Sequence, residues 1–118
     1  MKQHIIVNAY KTIEKIYKER MSYKTANTFF QLKRILQPHI DFQKEKEAEI
    51  FQETSPKREA DGKLTFETPE KKEIFAEKII ELSNLDIDLV FDKVTVSDDN
   101  LLISPEDIEG LSEFVNFE

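Results

Sequence analysis

The sequence predicts a mainly α fold with a small β element (α+β): a kinked helical hairpin, short strands and a C-terminal helix. Three observations lead there. The stretch Ser22–Thr54 contains no Gly and a single Pro, and its second half is dominated by Gln, Leu, Lys, Arg, Glu and Ala, all strong helix formers. A second helical pattern, Pro69–Ser83, follows after a segment rich in turn residues. Beyond it, Asp86–Val96 (DIDLVFDKVTV) abandons the helical period for alternation of apolar and polar residues, the pattern of an extended strand.

In chain order, residues 3–20 predict a first helix, because Ile6, Ala9, Tyr10, Ile13, Ile16 and Tyr17 fall on one face at steps of three and four. Its start is open: Lys2–Val7 reads either as part of the helix or as a short strand, with Asn8 then serving as a cap. A break at Arg20–Lys24 precedes the long helix, for which Ser22 is the expected N-cap. Phe29, Leu32, Ile35, Leu36, Ile40, Ala48 and Phe51 form its apolar stripe. Fully helical, Ser22–Thr54 spans about 50 Å at ~1.5 Å per residue, so it needs a second helix along its side. Pro38 removes one backbone donor and crowds the preceding turn, predicting a kink near Leu36–Pro38 or two helices in succession. Ser55-Pro56 stops the helix, and Asp61-Gly62 signals a turn. Leu64 and Phe66 share one side of a short extended piece.

Thr68-Pro69 opens the next helix, with Pro at the first helical position. Phe75, Ile79 and Leu82 form its buried side, flanked by Ile74 and Ile80. Two helices joined by a short turn-bearing loop pack most simply as an antiparallel hairpin, with its tip near residues 55–68. Ile87, Leu89 and Phe91 then alternate with aspartates, and Val94 and Val96 continue after a phase shift. That predicts one bulged strand or two short ones. Ser104-Pro105-Glu106-Asp107 opens the last helix with an N-cap Ser, a first-position Pro and an acid three residues on. Ile108, Leu111, Ser112 and Val115 are expected along one face of it. The 118 residues are read as one domain.

The net charge of −7 is unevenly spread. Residues 1–58 carry 12 Lys/Arg against 7 Asp/Glu, a net of +5; residues 59–118 carry 5 Lys against 17 acids, a net of −12. Either the halves pack together and partly neutralise each other, or an acidic face is offered to a basic partner. From residue 86 to 118 there are 10 acids and one Lys. Asp86, Asp88, Asp92, Asp98, Asp99, Glu106, Asp107, Glu109 and Glu113 are therefore the expected partner-binding carboxylates. Phe114 and Phe117 read as core or as apolar anchors among them.

Lys11, Lys15, Lys18, Arg20, Lys24, Lys33 and Arg34, interleaved with Tyr10, Tyr17 and Tyr23, make the N-terminal region basic. Phosphate contacts are conceivable there, but the chain is acidic overall, with a pI near 4.9. The expected reading is an amphipathic helix whose tyrosines serve the core, without direct nucleic-acid binding.

Other chemistries have little to stand on. There are no cysteines, so disulfides and thiolate chemistry are excluded. Two Gly, at 62 and 110, leave no Gly-rich phosphate loop and no Gly-x-Ser-x-Gly elbow. His4 and His39 are isolated, although His39 lies close in sequence to Asp41. Asp98-Asp99-Asn100 lacks the Gly and the terminal Glu of a calcium loop, while Asp86 and Asp88 share a strand face that could meet a hard metal. A solvated face is the expected state of these acids, and neither metal nor cofactor is predicted. The N-terminal apolar run, Ile5–Val7, is too short for a signal-peptide core, and no stretch approaches a membrane span. A cytoplasmic protein is expected.

The order of these segments carries a resemblance. FFQLKRILQPHIDFQKEKEAEIFQE, a charged tip with DGK, KKEIFAEKIIELSN, DIDLVFDKVTVSD and the ending ISPEDIEGLSEFVNFE resemble a family of small uncharacterised phage and prophage proteins from Gram-positive bacteria, known only as a domain of unknown function. The resemblance covers residues 22–118, with ELSNLDIDLVFDKVTV and SPEDIEGL its most specific parts. It implies a phage source, the cytoplasm of an infected bacterium and a small helical-hairpin protein, and it transfers no active site. The function expected is non-enzymatic: an accessory protein that binds and inhibits a host defence or nucleic-acid-processing protein. A virion assembly or chaperone-like role, with self-association, is the alternative, and a small metal-dependent nuclease the third reading.

Overall fold

A computed structural model describes residues 1–118. Four helices and two small two-stranded sheets follow in the order α1 (Gln3–Ile16), α2 (Tyr23–Thr54), β1 (Lys57–Arg58), β2 (Leu64–Thr65), α3 (Pro69–Ser83), β3 (Val94–Val96), α4 (Pro105–Gly110) and β4 (Val115–Phe117). The mainly α, α+β class read from the sequence is the class observed.

The molecule measures 52 × 34 × 20 Å. Its radius of gyration of 17.1 Å exceeds the ~13.5 Å expected of a compact chain this long, and α2 is the reason. At 32 residues it runs nearly the whole long axis. Ser22 caps its start by accepting a hydrogen bond from the Thr25 N–H, and Ser55 ends it in the left-handed region at φ 46°. Helix continues without interruption through Pro38, so two helices in succession do not form. Pro38 is exposed, so the carbonyl that loses its donor on that side of the helix can turn to water.

The first half of α2 packs on α1 and on the C-terminal third. The core there comprises Ile6, Ala9, Ile13, Ile16, Phe29, Leu32, Leu36, Val96, Leu101, Leu111, Phe114 and Val115. The second half of α2 pairs with α3 as the predicted antiparallel hairpin, tied by the Lys78–Glu53 ion pair. Phe51 meets Phe75 edge-on at 5.4 Å, and Phe66 leans on Phe75 at 5.1 Å. This arm is thin: only Ile40, Ile50, Thr54 and Leu82 are buried in it. Its tip is a β1–β2 hairpin, with Lys57 opposite Thr65 and Arg58 opposite Leu64. Gly62 turns the chain there at φ 86°, a conformation that suits Gly.

Several expectations need correction. The first helix stops at Ile16, not Arg20. Gln3 is already helical, which removes the strand alternative for Lys2–Val7. Within α2, Ile35 is 42% exposed and Ala48 is exposed, while Ile50 is buried. The buried positions Phe29, Leu32, Leu36, Ile40, Ile50 and Thr54 keep one helical phase through Pro38, and Ile35 and Ala48 lie off that face. Asp86–Lys93 forms no strand, only an isolated bridge between Lys2 and Asp86. Its alternation survives as burial: Ile87, Leu89 and Phe91 are half-buried, and Asp86, Asp88, Val90 and Asp92 are exposed. The segment lies on the core as an unpaired ribbon, leaving β3 to pair with β4 in parallel, Val94 opposite Val115 and Val96 opposite Phe117. The last helix is only six residues long, and Val115 belongs to a strand.

Gln3 joins the parts. Fully buried, it donates from Nε2 to the His39 carbonyl at 3.0 Å and to Gln43 Oε1 at 3.2 Å, and its N–H donates to the Leu85 carbonyl at 2.9 Å. One residue thus holds the start of α1 against the middle of α2 and the exit of α3. Truncating Phe29 or Leu36 to Ala is expected to cost about 3 kcal/mol in urea denaturation, and Ile35→Ala about 0.5 kcal/mol or less. Equal losses at Ile35 and Leu36 would contradict this helix phase.

Candidate functional site

The C-terminal third is built around α4. Ser104 Oγ accepts from the Asp107 N–H, and Asp107 Oδ2 accepts from the Ser104 N–H, both at 3.2 Å. This reciprocal cap holds a helix otherwise too short to persist. The close approach of Gly110 fixes its seat on α1: a Cβ at that position would lie 2.6 Å from Thr12 Oγ1. Lys15 completes the joint by donating to Asp107 Oδ1 at 3.0 Å.

Seated this way, α4 is a ridge between two depressions. On one side Glu106, Glu109 and Glu113 face His4, Asn8, Lys11 and Thr12 of α1 across an open groove of about 660 Å³. On the other, Val96, Leu101, Ile103, Ile108 and Phe117 line an apolar groove of about 260 Å³ with Asp98 and Glu118 at its rim. Ile108 is 43% and Leu102 79% exposed. Asp88, Asp92, Asp99, Glu106, Glu109 and Glu113 are exposed, and none has a Lys or Arg amine within ion-pair distance.

The remaining carboxylates and both aromatics expected at the site have structural work. Phe114 is fully buried and packs edge-on to Phe91 at 5.3 Å. It belongs to the core and cannot serve as a contact anchor. Phe117 is half-buried against that core and shows one side to the apolar groove. Asp107 is 7% exposed and spends both oxygens on α4 and Lys15. Burial pulls its pKa upward, but the hydrogen bonds from Lys15 and Ser104 outweigh it and hold the carboxyl below its ordinary value. Asp98 accepts from the backbone N–H groups of Ser22 at 2.9 Å and Asn100 at 3.0 Å. These bonds lower its pKa and make it a clamp on the start of α2. Asp86 pairs with Lys2 at 3.0 Å.

Opposite charges therefore meet within the chain at Lys2–Asp86 and Lys15–Asp107, while most of the acidic surface stays unpaired. The expectation that the two halves partly neutralise each other is met at these two pairs. No three His, Asp or Glu side chains converge to hold a metal ion. Asp41, beside His39 in sequence, accepts instead from Gln37 Nε2 at 2.9 Å. No helix is long and apolar enough to cross a membrane.

Sequence reasoning missed the apolar groove. Its walls come from β3, α4 and β4, and the β3–β4 pairing leaves only three residues per strand to signal it. It also assigned the tyrosines to the core, yet Tyr23 is 96% and Tyr17 38% exposed. No family model, no curated protein and no solved structure matches the chain.

The Asp107 carboxylate stabilises the fold only while ionised. Because its folded pKa lies below the reference value of 3.8, its contribution is full above that value and fades as pH falls through the folded pKa. Asp107→Asn is expected to lower stability by about 1 kcal/mol near neutral pH. Denaturation of both proteins along an acid series should show that gap closing below the reference pKa. A gap independent of pH would contradict the role given to this carboxylate.

Proposed function

We propose that this protein acts without catalysis, by docking the α4 ridge onto a basic surface of another protein. One observation carries the reading: α4 presents Ile108 to an apolar groove on one flank, while the unpaired carboxylates Glu106 and Glu109 of α4 and Glu113 of the turn after it lie on the other. An apolar centre beside uncompensated charge is the layout of a surface that gains steering from its charges and affinity from its anchor. The carboxylates speed encounter with a cationic partner, and a small apolar side chain of that partner fills the groove of about 260 Å³. A nucleic-acid-processing protein has a basic groove suited to such a ridge, and inhibition would follow from occupying it. The phage origin rests on the resemblance of residues 22–118 alone, and with it the identification of the target as a host defence protein.

A virion assembly role is the second reading, favoured by the arm. A two-helix projection on a molecule 52 Å long, with Ile80 60% exposed, is suited to self-association. The nuclease reading lacks support: Asp86 is engaged by Lys2, and no third ligand joins Asp88 and Asp92.

Tagged protein, used as bait in lysate from cells with and without phage infection, should capture a basic host protein. The triple variant Glu106→Lys/Glu109→Lys/Glu113→Lys should lose that capture by roughly tenfold or more, and the wild-type interaction should weaken as salt rises. Undiminished capture by the triple variant would overturn the docking surface. A phage structural protein as the dominant partner would favour the assembly reading instead.

A further inference from the structure

The helix face on the α1–α2 side carries a second charged surface, of opposite sign, with a different composition. Lys33 lies half-buried with its amine 5.4 Å from the ring centre of Tyr10 and 5.3 Å from that of Tyr17. Tyr10 is held in place by donating its hydroxyl to Gln37 Oε1 at 2.7 Å. On the next residue of α2, the Arg34 guanidinium sits 5.8 Å from the ring centre of Phe30, one turn back. Tyr17, Phe30, Lys33, Arg34 and Gln37 line one cleft of about 270 Å³. It shares Tyr17 and Lys33 with a wider depression of about 550 Å³, lined also by Lys11, Glu14, Lys15 and Lys18.

The charges of this face are not neutralised internally. Lys11, Lys18, Lys33 and Arg34 make no ion pair, whereas Lys15 is paired to Asp107. The acids that face it are Glu14 within the depression, Asp41 beside Tyr10 and Gln37, Glu19 and Glu106 beside Lys15, and the carboxylates across the groove from Lys11. Lys18, Lys33 and Arg34 are left as the effective cations. The rings are available as well: Tyr17 is 38% and Phe30 44% exposed. A core does not need these rings, and a solvated cationic face does not need aromatic planes beside its cations.

We propose that the α1–α2 face binds single-stranded nucleic acid, with Tyr17 and Phe30 stacking on bases and Lys18, Lys33 and Arg34 contacting phosphates. Half-exposed rings flanked by cations match a ligand that alternates planar bases with anionic groups. A duplex keeps its base faces stacked inside, so it offers the rings nothing. The net charge of −7 does not prevent this. Screening confines each field to about 8 Å at physiological salt, and the two depressions are lined by the unpaired cations Lys11, Lys18, Lys33 and Arg34 against Glu14.

The test is fluorescence anisotropy with a labelled oligothymidylate, a duplex of matched length and heparin. The oligothymidylate should bind with log K falling against log salt at a slope of roughly −2, as three phosphate contacts on a single strand give. Tyr17→Ala and Phe30→Ala should each weaken it roughly tenfold, and Arg34→Glu should reduce the salt slope. Arg34 is exposed, so that variant remains informative if a ring variant fails to fold, and melting curves of each variant identify such failure. Three results would overturn the proposal. One is no oligothymidylate binding at low salt. Another is equal binding of duplex and heparin with no effect of ring removal, which is plain polyelectrolyte attraction. The last is self-association abolished by Arg34→Glu without any oligonucleotide binding, which would make the acidic face of a second copy the occupant.

Discussion

A 32-residue helix cannot hold itself straight in water on propensity alone, and the whole structure is an answer to that requirement. α2 must find lateral partners along ~48 Å of its length. The chain supplies two, one for each half. Its own N-terminal segment and C-terminal third cover the first half and bury the only large apolar cluster. α3 covers the second half beyond the reach of Gln3 and buries very little. Stability is therefore graded along one helix. The arm, with four buried residues, belongs to the part of a protein that opens first. Gln3 matters because it sits where these regimes meet, spanning α1, α2 and the exit of α3 through three hydrogen bonds.

The same arrangement sorts the charges. Folding spends Lys2 and Lys15 on Asp86 and Asp107, and these pairs fasten the acidic third to α1. Both pairs have an exposed partner, and such pairs add little stability by themselves; their role is placement. What stays unpaired is segregated: carboxylates along α4, and Lys18, Lys33 and Arg34 along the α1–α2 face. A chain whose net charge describes neither surface is better read by its faces than by its pI.

How much of this was legible depended on the range of the interaction. Local signals are legible: Ser22 and Ser104 as N-caps, Thr68-Pro69 as a helix start, Pro69 and Pro105 at first helical positions, Asp61-Gly62 as the turn, and the antiparallel hairpin. Each rests on backbone chemistry within a few residues. Long-range choices were not legible. Whether Ile87, Leu89 and Phe91 would pair in a sheet depended on a partner strand the chain does not supply, so their alternation became burial without a ladder. Val115 reads as helix because short strands leave no period to detect, and β4 forms only because β3 lies beside it. Of the candidate site, the exposed glutamates on α4 were legible as surface charge. The structural duties of Asp98 and Asp107, and the burial of Phe114, depended on packing that the sequence does not encode locally.

Continuity of α2 through Pro38 is what joins the body to the arm, and it can be measured directly. The protein has no cysteines, so spin labels at Gln31→Cys and Gln52→Cys, both exposed on α2, report a single distance by pulsed electron paramagnetic resonance. One uninterrupted helix predicts a narrow distribution near ~32 Å between backbone positions, at about 1.5 Å per residue. A markedly shorter distance, or a broad distribution, would mean that α2 bends or hinges at Pro38 and that body and arm are not joined by one helix.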